Sequence, residues 1–166
     1  MLHFIFELNS IKRTVVDKYE AAYDVINQDI YEYFSDEKFD FIYSISTFEH
    51  MDSDGGRNPQ YEKEKAFGNY SSVAYRNIEH VVLNLLADRG RLIITVPIGY
   101  LNREIDKSIF DGEHTHLPVS LSISAYKRCG PLEWKLVPLS ELRGFKESRT
   151  SSRREAICVM EFCKKA

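Results

Sequence analysis

Glu49 and His50 are the residues whose types best suit chemistry, because a carboxylate and an imidazole stand side by side after a short apolar run. Histidine changes its charge near neutral pH, so His50 could deprotonate or position a substrate. The structural alternative is that Glu49 caps a helix while His50 packs nearby. The preceding run, residues 39–45, is aromatic and β-branched and gives way to Ser46, which is typical of a buried strand that meets a ligand-facing loop.

Two aspartates close short apolar segments earlier in the chain. Asp17 ends a strand candidate over residues 11–17, and Asp29 ends an extended segment over residues 24–29. Ligands of open α/β sheets bind outside the carboxyl ends of the strands, where both carboxylates would then lie. The alternative is that both are ordinary turn residues that follow strands.

Polar loop residues further along the chain are candidates for contacts with a substrate. Tyr100, Asn102 and Asp106 follow the apolar segment that ends at residue 97, although loop polarity alone would explain them. His114 and His116, with nearby carboxylates, form a possible metal set, but an exposed polar turn is the more common origin of such a stretch. We therefore predict no metal site.

The elements that would position these residues form a strand–helix–strand unit. Apolar residues at helical spacing predict a helix over residues 71–87, with Ser71 or Ser72 at its start and Gly90 as the left-handed residue after its end. A second buried strand, residues 92–96, follows at once. Three later segments look like strands and suggest an antiparallel hairpin at one edge of a mixed sheet: 121–126, 134–137 and 156–162.

Composition limits the class of protein. A length of 166 residues suits a single domain over residues 1–166, and the net charge of −3 does not favour binding to nucleic acid or to an anionic membrane. Three cysteines without CxxC spacing indicate reduced thiols rather than disulfides. No stretch has the features of a signal peptide or the length of a transmembrane segment, so we predict a cytoplasmic protein.

The ordered set of strand ends resembles a known family. These segments are similar to the successive strand ends of class I S-adenosylmethionine-dependent methyltransferases: Val15-Val16-Asp17, Asn27-Gln28-Asp29, residues 39–50 and residues 90–97. The resemblance implies an α/β fold, a Rossmann-like sheet that is mostly parallel and has a C-terminal antiparallel hairpin formed by the strands at Trp134 and at residues 156–162.

The resemblance also assigns roles to individual residues. It implies S-adenosylmethionine as the cofactor, with Asp17 on the ribose and with Asp29 and the backbone of Ile30 on the adenine. Residues Ser44, Ile45 and Ser46 would border the cofactor. The acceptor contacts are predicted from the loop residues themselves, which are Glu49, Tyr100, Asn102 and Asp106, with His50 as the candidate base.

One part of the family pattern does not appear. The first strand and its glycine-rich loop should precede Val15 by about twenty residues, and residues 1–10 contain no glycine. Only glycine lets backbone N–H groups approach the cofactor closely at such a loop. The chain is therefore a truncated protein, a protein whose start lies further upstream, or a degenerate homologue. We predict methyl transfer to a small-molecule or glycan-type acceptor; the alternative is a non-catalytic binding or assembly protein.

Overall fold

The chain divides into two compact units, Met1–Phe34 and Ser35–Ala166. The first unit contains a two-stranded sheet and the second a five-stranded sheet. The computed structural model describes five stretches of the chain, which are residues 13–20, 22–48, 73–97, 117–142 and 155–166.

The first unit is built around two very short parallel strands, β1 (Val15–Val16) and β2 (Val25–Ile26). Val15 lies opposite Val25 and Val16 opposite Ile26, so every paired position holds a β-branched residue. Such residues favour a pleated backbone. After β2 the chain turns over residues 29–33, where Glu32 N donates to Asp29 O (3.0 Å) and Tyr33 N donates to Ile30 O (3.3 Å).

The second unit is a mixed sheet with the strand order β3-β4-β7-β5-β6. β3 and β4 pair parallel, as the predicted strand–helix–strand unit requires. The other three pairings of this sheet, β4 with β7, β7 with β5 and β5 with β6, are antiparallel. The strands are β3 (Phe39–Ile45), β4 (Leu86–Pro97), β5 (Val119–Arg128), β6 (Trp134–Val137) and β7 (Ala156–Lys164).

A single helical segment of the described chain leads directly into β4. An α-helix, α1 (Val73–His80), continues as a π-helical turn over Val81–Leu85, and Leu86 N–H closes that turn on Val81 O. A 3₁₀ turn follows β6 at Leu139–Leu142. Among the described residues, no helix is long and apolar enough to cross a membrane.

The core of the second unit joins one face of the sheet to the helical segment. Leu92 of β4 lies opposite Phe162 of β7, and Ile94 lies opposite Met160, so alternate residues of the two strands share the buried face. Burial of each such large apolar side chain contributes roughly 1.5–3 kcal/mol. The helical residues buried with them are Ile78, Val81, Val82 and Leu85.

Two lysines bind the carbonyl groups at the end of the helical segment. Lys38, just before β3, donates to Asn84 O, and Lys164, the last residue of β7, donates to Leu86 O at 2.8 Å. Carbonyl groups at a helix end lack partners within the helix and carry partial negative charge, so ammonium groups stabilise them.

The prediction of a Rossmann-like, mostly parallel α/β sheet is wrong. Strands account for 48% of the described residues and helices for 16%, with one short α-helix among them, whereas a doubly wound sheet needs helices on both faces. Only one of the four pairings in the large sheet is parallel. The expected C-terminal hairpin differs too, since β5 lies between β6 and β7 and pairs antiparallel with both.

The end of the helix also differs from the prediction. The helix was expected to reach residue 87, but Leu86 already pairs with Phe39 as the first residue of β4. The residue with left-handed backbone is Arg89, at a φ of 62°, rather than Gly90. A glycine is required at position 90 for a steric reason instead, because a Cβ there would lie 2.8 Å from Ala87 O.

Candidate functional site

The predicted site residues fall into three groups in the structure. Asp17, Asp29 and Ile30 belong to the first unit, and the segment Ser44–Ser46 belongs to the second. The remaining candidates lie outside the described residues: Glu49, His50, Tyr100, Asn102 and Asp106.

Asp17 and Asp29 follow two adjacent parallel strands. Asp17 comes immediately after β1, and its N–H donates to Ile26 O (3.1 Å), the last residue of β2. Asp29 stands three residues after the end of β2. Because β1 and β2 run parallel, the carboxyl ends of both strands meet at one edge of the small sheet, and both aspartates follow that edge.

The carboxylate of Asp17 is oriented by the backbone that follows it. Its Oδ1 accepts hydrogen bonds from Tyr19 N and Glu20 N, both at 2.8 Å. No described residue donates a hydrogen bond to its Oδ2. Two backbone donors on one oxygen hold the group in a single orientation, and the second oxygen keeps its capacity to accept a hydrogen bond from a ligand.

Asn27 holds the two strand-end loops together, a role that the sequence interpretation missed. Asn27 comes directly after β2. The Asn27 Nδ2 atom lies within hydrogen-bond distance of Asp17 O (3.2 Å), Lys18 O (3.0 Å) and Glu20 O (3.3 Å). The amide has two N–H donors, so at most two of these three bonds are fully formed at one time. Asn27 thus fixes the loop that carries Asp17, although an asparagine after a strand looks in sequence like an ordinary turn residue.

Asp29 is engaged on both oxygens. Its Oδ1 accepts from Tyr31 N at 3.0 Å, as in an Asx turn, and its Oδ2 lies 3.0 Å from Lys18 Nζ. The same ammonium group lies 5.6 Å from the ring centroid of Tyr19. Lys18 therefore connects the loop after β1 with the turn after β2 and places a positive charge beside the second carboxylate.

Ile30 lies next to this carboxylate in a half-buried position, and its carbonyl accepts the hydrogen bond from Tyr33 N. The turn is further held by Gln28, whose Nε2 donates to Glu32 O at 2.8 Å. Among the carboxylate oxygens of this edge, Asp17 Oδ2 is the one with no described donor, and it suits a ligand hydroxyl or amino group.

The segment Ser44–Ser46 closes β3 with an unusual backbone conformation. Ser46 has a φ of 50°, which places a residue with a side chain in the left-handed region, while its N–H donates to Thr95 O at 3.0 Å. Strain of this kind persists only where surrounding contacts fix the backbone, and it is frequent at ligand sites. Here the fixing contacts include Thr47 Oγ1 on Ile45 O (3.2 Å) and the burial of Phe48.

The two strand-end edges belong to separate units and differ in chemistry. The edge at Asp17 and Asp29 presents carboxylates, and the edge at Ser46 presents a hydroxyl on a strained turn. Within the part of the chain that the structure describes, no three His, Cys, Asp or Glu side chains are grouped as metal ligands.

Comparison with protein families, with curated proteins and with solved structures finds no match for this chain.

Proposed function

We propose that this chain binds S-adenosylmethionine and transfers its methyl group to a small-molecule or glycan-type acceptor. One observation carries the proposal: β1 and β2 pair parallel, and Asp17 and Asp29 follow their adjacent carboxyl ends. By the family resemblance, the first of these carboxylates would bind the ribose of the cofactor and the second would face its base. The proposal rests on this strand pair and on no particular class for the larger sheet.

Asp17 is the proposed ribose ligand. Its Oδ1 is held by the N–H groups of Tyr19 and Glu20, which leaves Oδ2 to accept a hydrogen bond from a ribose hydroxyl. A hydrogen bond to a charged acceptor contributes about 1.5–3 kcal/mol, so the loss of this carboxylate would weaken binding by about 10- to 150-fold.

Asp29 is the proposed partner of the adenine amino group. Its Oδ2 already interacts with Lys18 Nζ, and both groups are partly exposed, so this ion pair contributes at most about 1 kcal/mol. An amino donor from the base could share or replace the ammonium. The neighbouring Ile30 supplies a half-buried apolar side chain and the backbone that the resemblance assigns to the base.

Methyl transfer makes modest demands on the protein itself. The sulfonium of the cofactor carries an activated methyl group, and the protein mainly aligns the acceptor for in-line displacement. A base is required only when the acceptor loses a proton, the role proposed for His50. Glu49, Tyr100, Asn102 and Asp106 remain the proposed acceptor contacts.

The second candidate is a non-catalytic protein of the binding or assembly type. One observation favours it: Lys18 Nζ already lies 3.0 Å from the second oxygen of Asp29. The two candidates separate cleanly by experiment, because the first requires methyl transfer and the second does not.

Calorimetric titration of the wild type and of two variants with S-adenosylmethionine tests the proposal. The variants are Asp17→Asn and Asp29→Asn, which keep the shape of each side chain and remove its charge. Asp24→Asn is the matched control, because Asp24 pairs with Arg13 and precedes β2 rather than following it. We expect at least about 10-fold weaker binding for Asp17→Asn and unchanged binding for the control. No saturable heat from a folded wild-type chain would refute the proposal. Methyl transfer to a panel of hydroxylated acceptors is measured by mass spectrometry. Binding of S-adenosylmethionine without transfer to any of these acceptors would support the second candidate.

A further inference from the structure

Lys18 and Asp29 form a donor–acceptor pair at the edge where β1 and β2 end. Lys18 follows Asp17 directly in the chain, and its Nζ lies 3.0 Å from Asp29 Oδ2. The side chain of Lys18 is 44% exposed and that of Asp29 is 32% exposed, so a ligand can reach both groups. The proposed function uses Asp29 and assigns no role to the neighbouring ammonium.

The pair can bind a ligand without coming apart. Asp29 Oδ1 accepts a hydrogen bond from Tyr31 N at 3.0 Å, which fixes the orientation of the carboxylate. Each carboxylate oxygen has two acceptor sites and an ammonium has three N–H donors, so Oδ2 and Nζ can each bind a ligand atom while their own contact is kept. The ammonium also lies 5.6 Å from the ring centroid of Tyr19, within the range of a cation–π interaction, and this contact helps to keep it at the edge.

We propose that Lys18 is a ligand of the adenine base, a role that rests on the binding of S-adenosylmethionine proposed above. Adenine carries its amino group between two ring nitrogens that accept hydrogen bonds, N1 on one side and N7 on the other. A donor and an acceptor of the base therefore stand side by side, as the complement of Asp29 Oδ2 and Lys18 Nζ. Asp29 accepts from the amino group, and Lys18 donates to the adjacent ring nitrogen.

This arrangement makes Lys18 a specificity-determining residue. A carboxylate alone accepts from any amino group, whereas the ammonium also requires an acceptor next to that group. Guanine has a carbonyl oxygen where adenine has its amino group, so an acceptor would face the Asp29 carboxylate with no proton between them. Polar groups left unpaired in this way lower affinity. The pair therefore selects for an amino group beside a ring nitrogen.

Calorimetric titration with S-adenosylhomocysteine and with its 1-deaza and 7-deaza analogues tests the role of Lys18. Each analogue replaces one ring nitrogen by a C–H group and keeps the amino group that faces Asp29. One of the two analogues is expected to bind the wild-type chain about 10-fold more weakly than the parent compound, because it lacks the acceptor for a charged donor. The analogue that is weakened identifies the ring nitrogen that Lys18 contacts.

The same titrations with Lys18→Met separate a direct contact from a structural role. Methionine keeps the length of the side chain and removes the donor, so the parent compound is expected to bind about 10-fold more weakly and no better than the deaza analogue. A lysine that only held Asp29 in place would weaken all three ligands alike and leave the preference for the parent compound intact. Arg13→Met is the matched control, because Arg13 forms an ion pair with Asp24 and precedes β1; it is expected to keep the wild-type affinity and preference.

The outcomes distinguish this role from the proposed function. Equal binding of the parent compound and both analogues to the wild type would overturn the role of Lys18, and so would a preference that survives in Lys18→Met. Tighter binding of the parent compound to Lys18→Met would overturn it too, because the ammonium would then compete with the base. Each of these results leaves cofactor binding standing. A wild-type chain that circular dichroism shows to be folded and that binds no parent compound would overturn both.

Discussion

Replacement of Arg89 by glycine is expected to leave the free energy of unfolding unchanged or to raise it. Arg89 lies in an irregular part of β4, where positions 39 and 41 of β3 pair with positions 86 and 91 of β4. β4 therefore has three more residues than β3 over this interval (five steps against two), and the chain accommodates them with a φ of 62° at Arg89.

The expected magnitude follows from two opposing effects. A left-handed conformation costs a residue with a Cβ about 1–2 kcal/mol, and glycine avoids that cost. Glycine also makes the unfolded chain more flexible, which lowers stability by about 0.4–1 kcal/mol. The net change is a gain of about 0–1.6 kcal/mol, obtained from the difference of these two ranges.

Urea unfolding followed by circular dichroism measures this change, and Asp88→Gly is the matched control. Asp88 is the exposed neighbour of Arg89 and has no left-handed backbone, so glycine there is expected to lower the free energy of unfolding by about 0.5–1 kcal/mol. If Gly90 were the left-handed residue, Arg89→Gly would be as harmful as Asp88→Gly. Equal losses for the two variants would therefore refute the assignment of the strained residue.

Two further predictions concern the ends of β3 and of the helical segment. Ser46→Gly is expected to be tolerated because Ser46 has a φ of 50°. Ser46→Val should lower the free energy of unfolding, measured by urea titration, by about 1–3 kcal/mol. Equal effects of the two substitutions would exclude strain at this position. Lys164→Met removes the ammonium donor to Leu86 O and is expected to lower the free energy of unfolding by about 1–3 kcal/mol. The midpoint of thermal unfolding should fall accordingly, whereas the exposed Lys165→Met should leave that midpoint unchanged.

Local patterns predicted most of the strands correctly. The segment 134–137 coincides with β6, and the predicted strands 92–96, 121–126 and 156–162 each lie within an observed strand. These segments succeed because β-branched and aromatic residues favour a pleated backbone wherever the strand finally pairs. The parallel pairing of β3 with β4 was also predicted, since a helical segment between two strands brings the second back in the same direction.

The order of the strands could not be predicted in the same way. β5 lies between β6 and β7 because its two edges find different partners: Tyr126 pairs with Leu136 on one side and with Ile157 on the other. Partner choice over such distances depends on tertiary packing, which local sequence does not encode. The helix end was misplaced for a related reason. Leu85 and Leu86 are both fully buried, so the apolar pattern alone does not show that the helical segment stops between them.

The candidate site shows the same division between local and tertiary information. An aspartate after each short strand is a local pattern, and the parallel pairing of β1 with β2 brings Asp17 and Asp29 to one edge of their sheet. Asn27 escaped prediction because its role depends on three carbonyl groups of another loop. A strand-end pattern of this kind is compatible with many arrangements of the remaining strands. That is why the larger sheet could differ from the expected fold while Asp17 and Asp29 were still found at a shared edge of the small sheet.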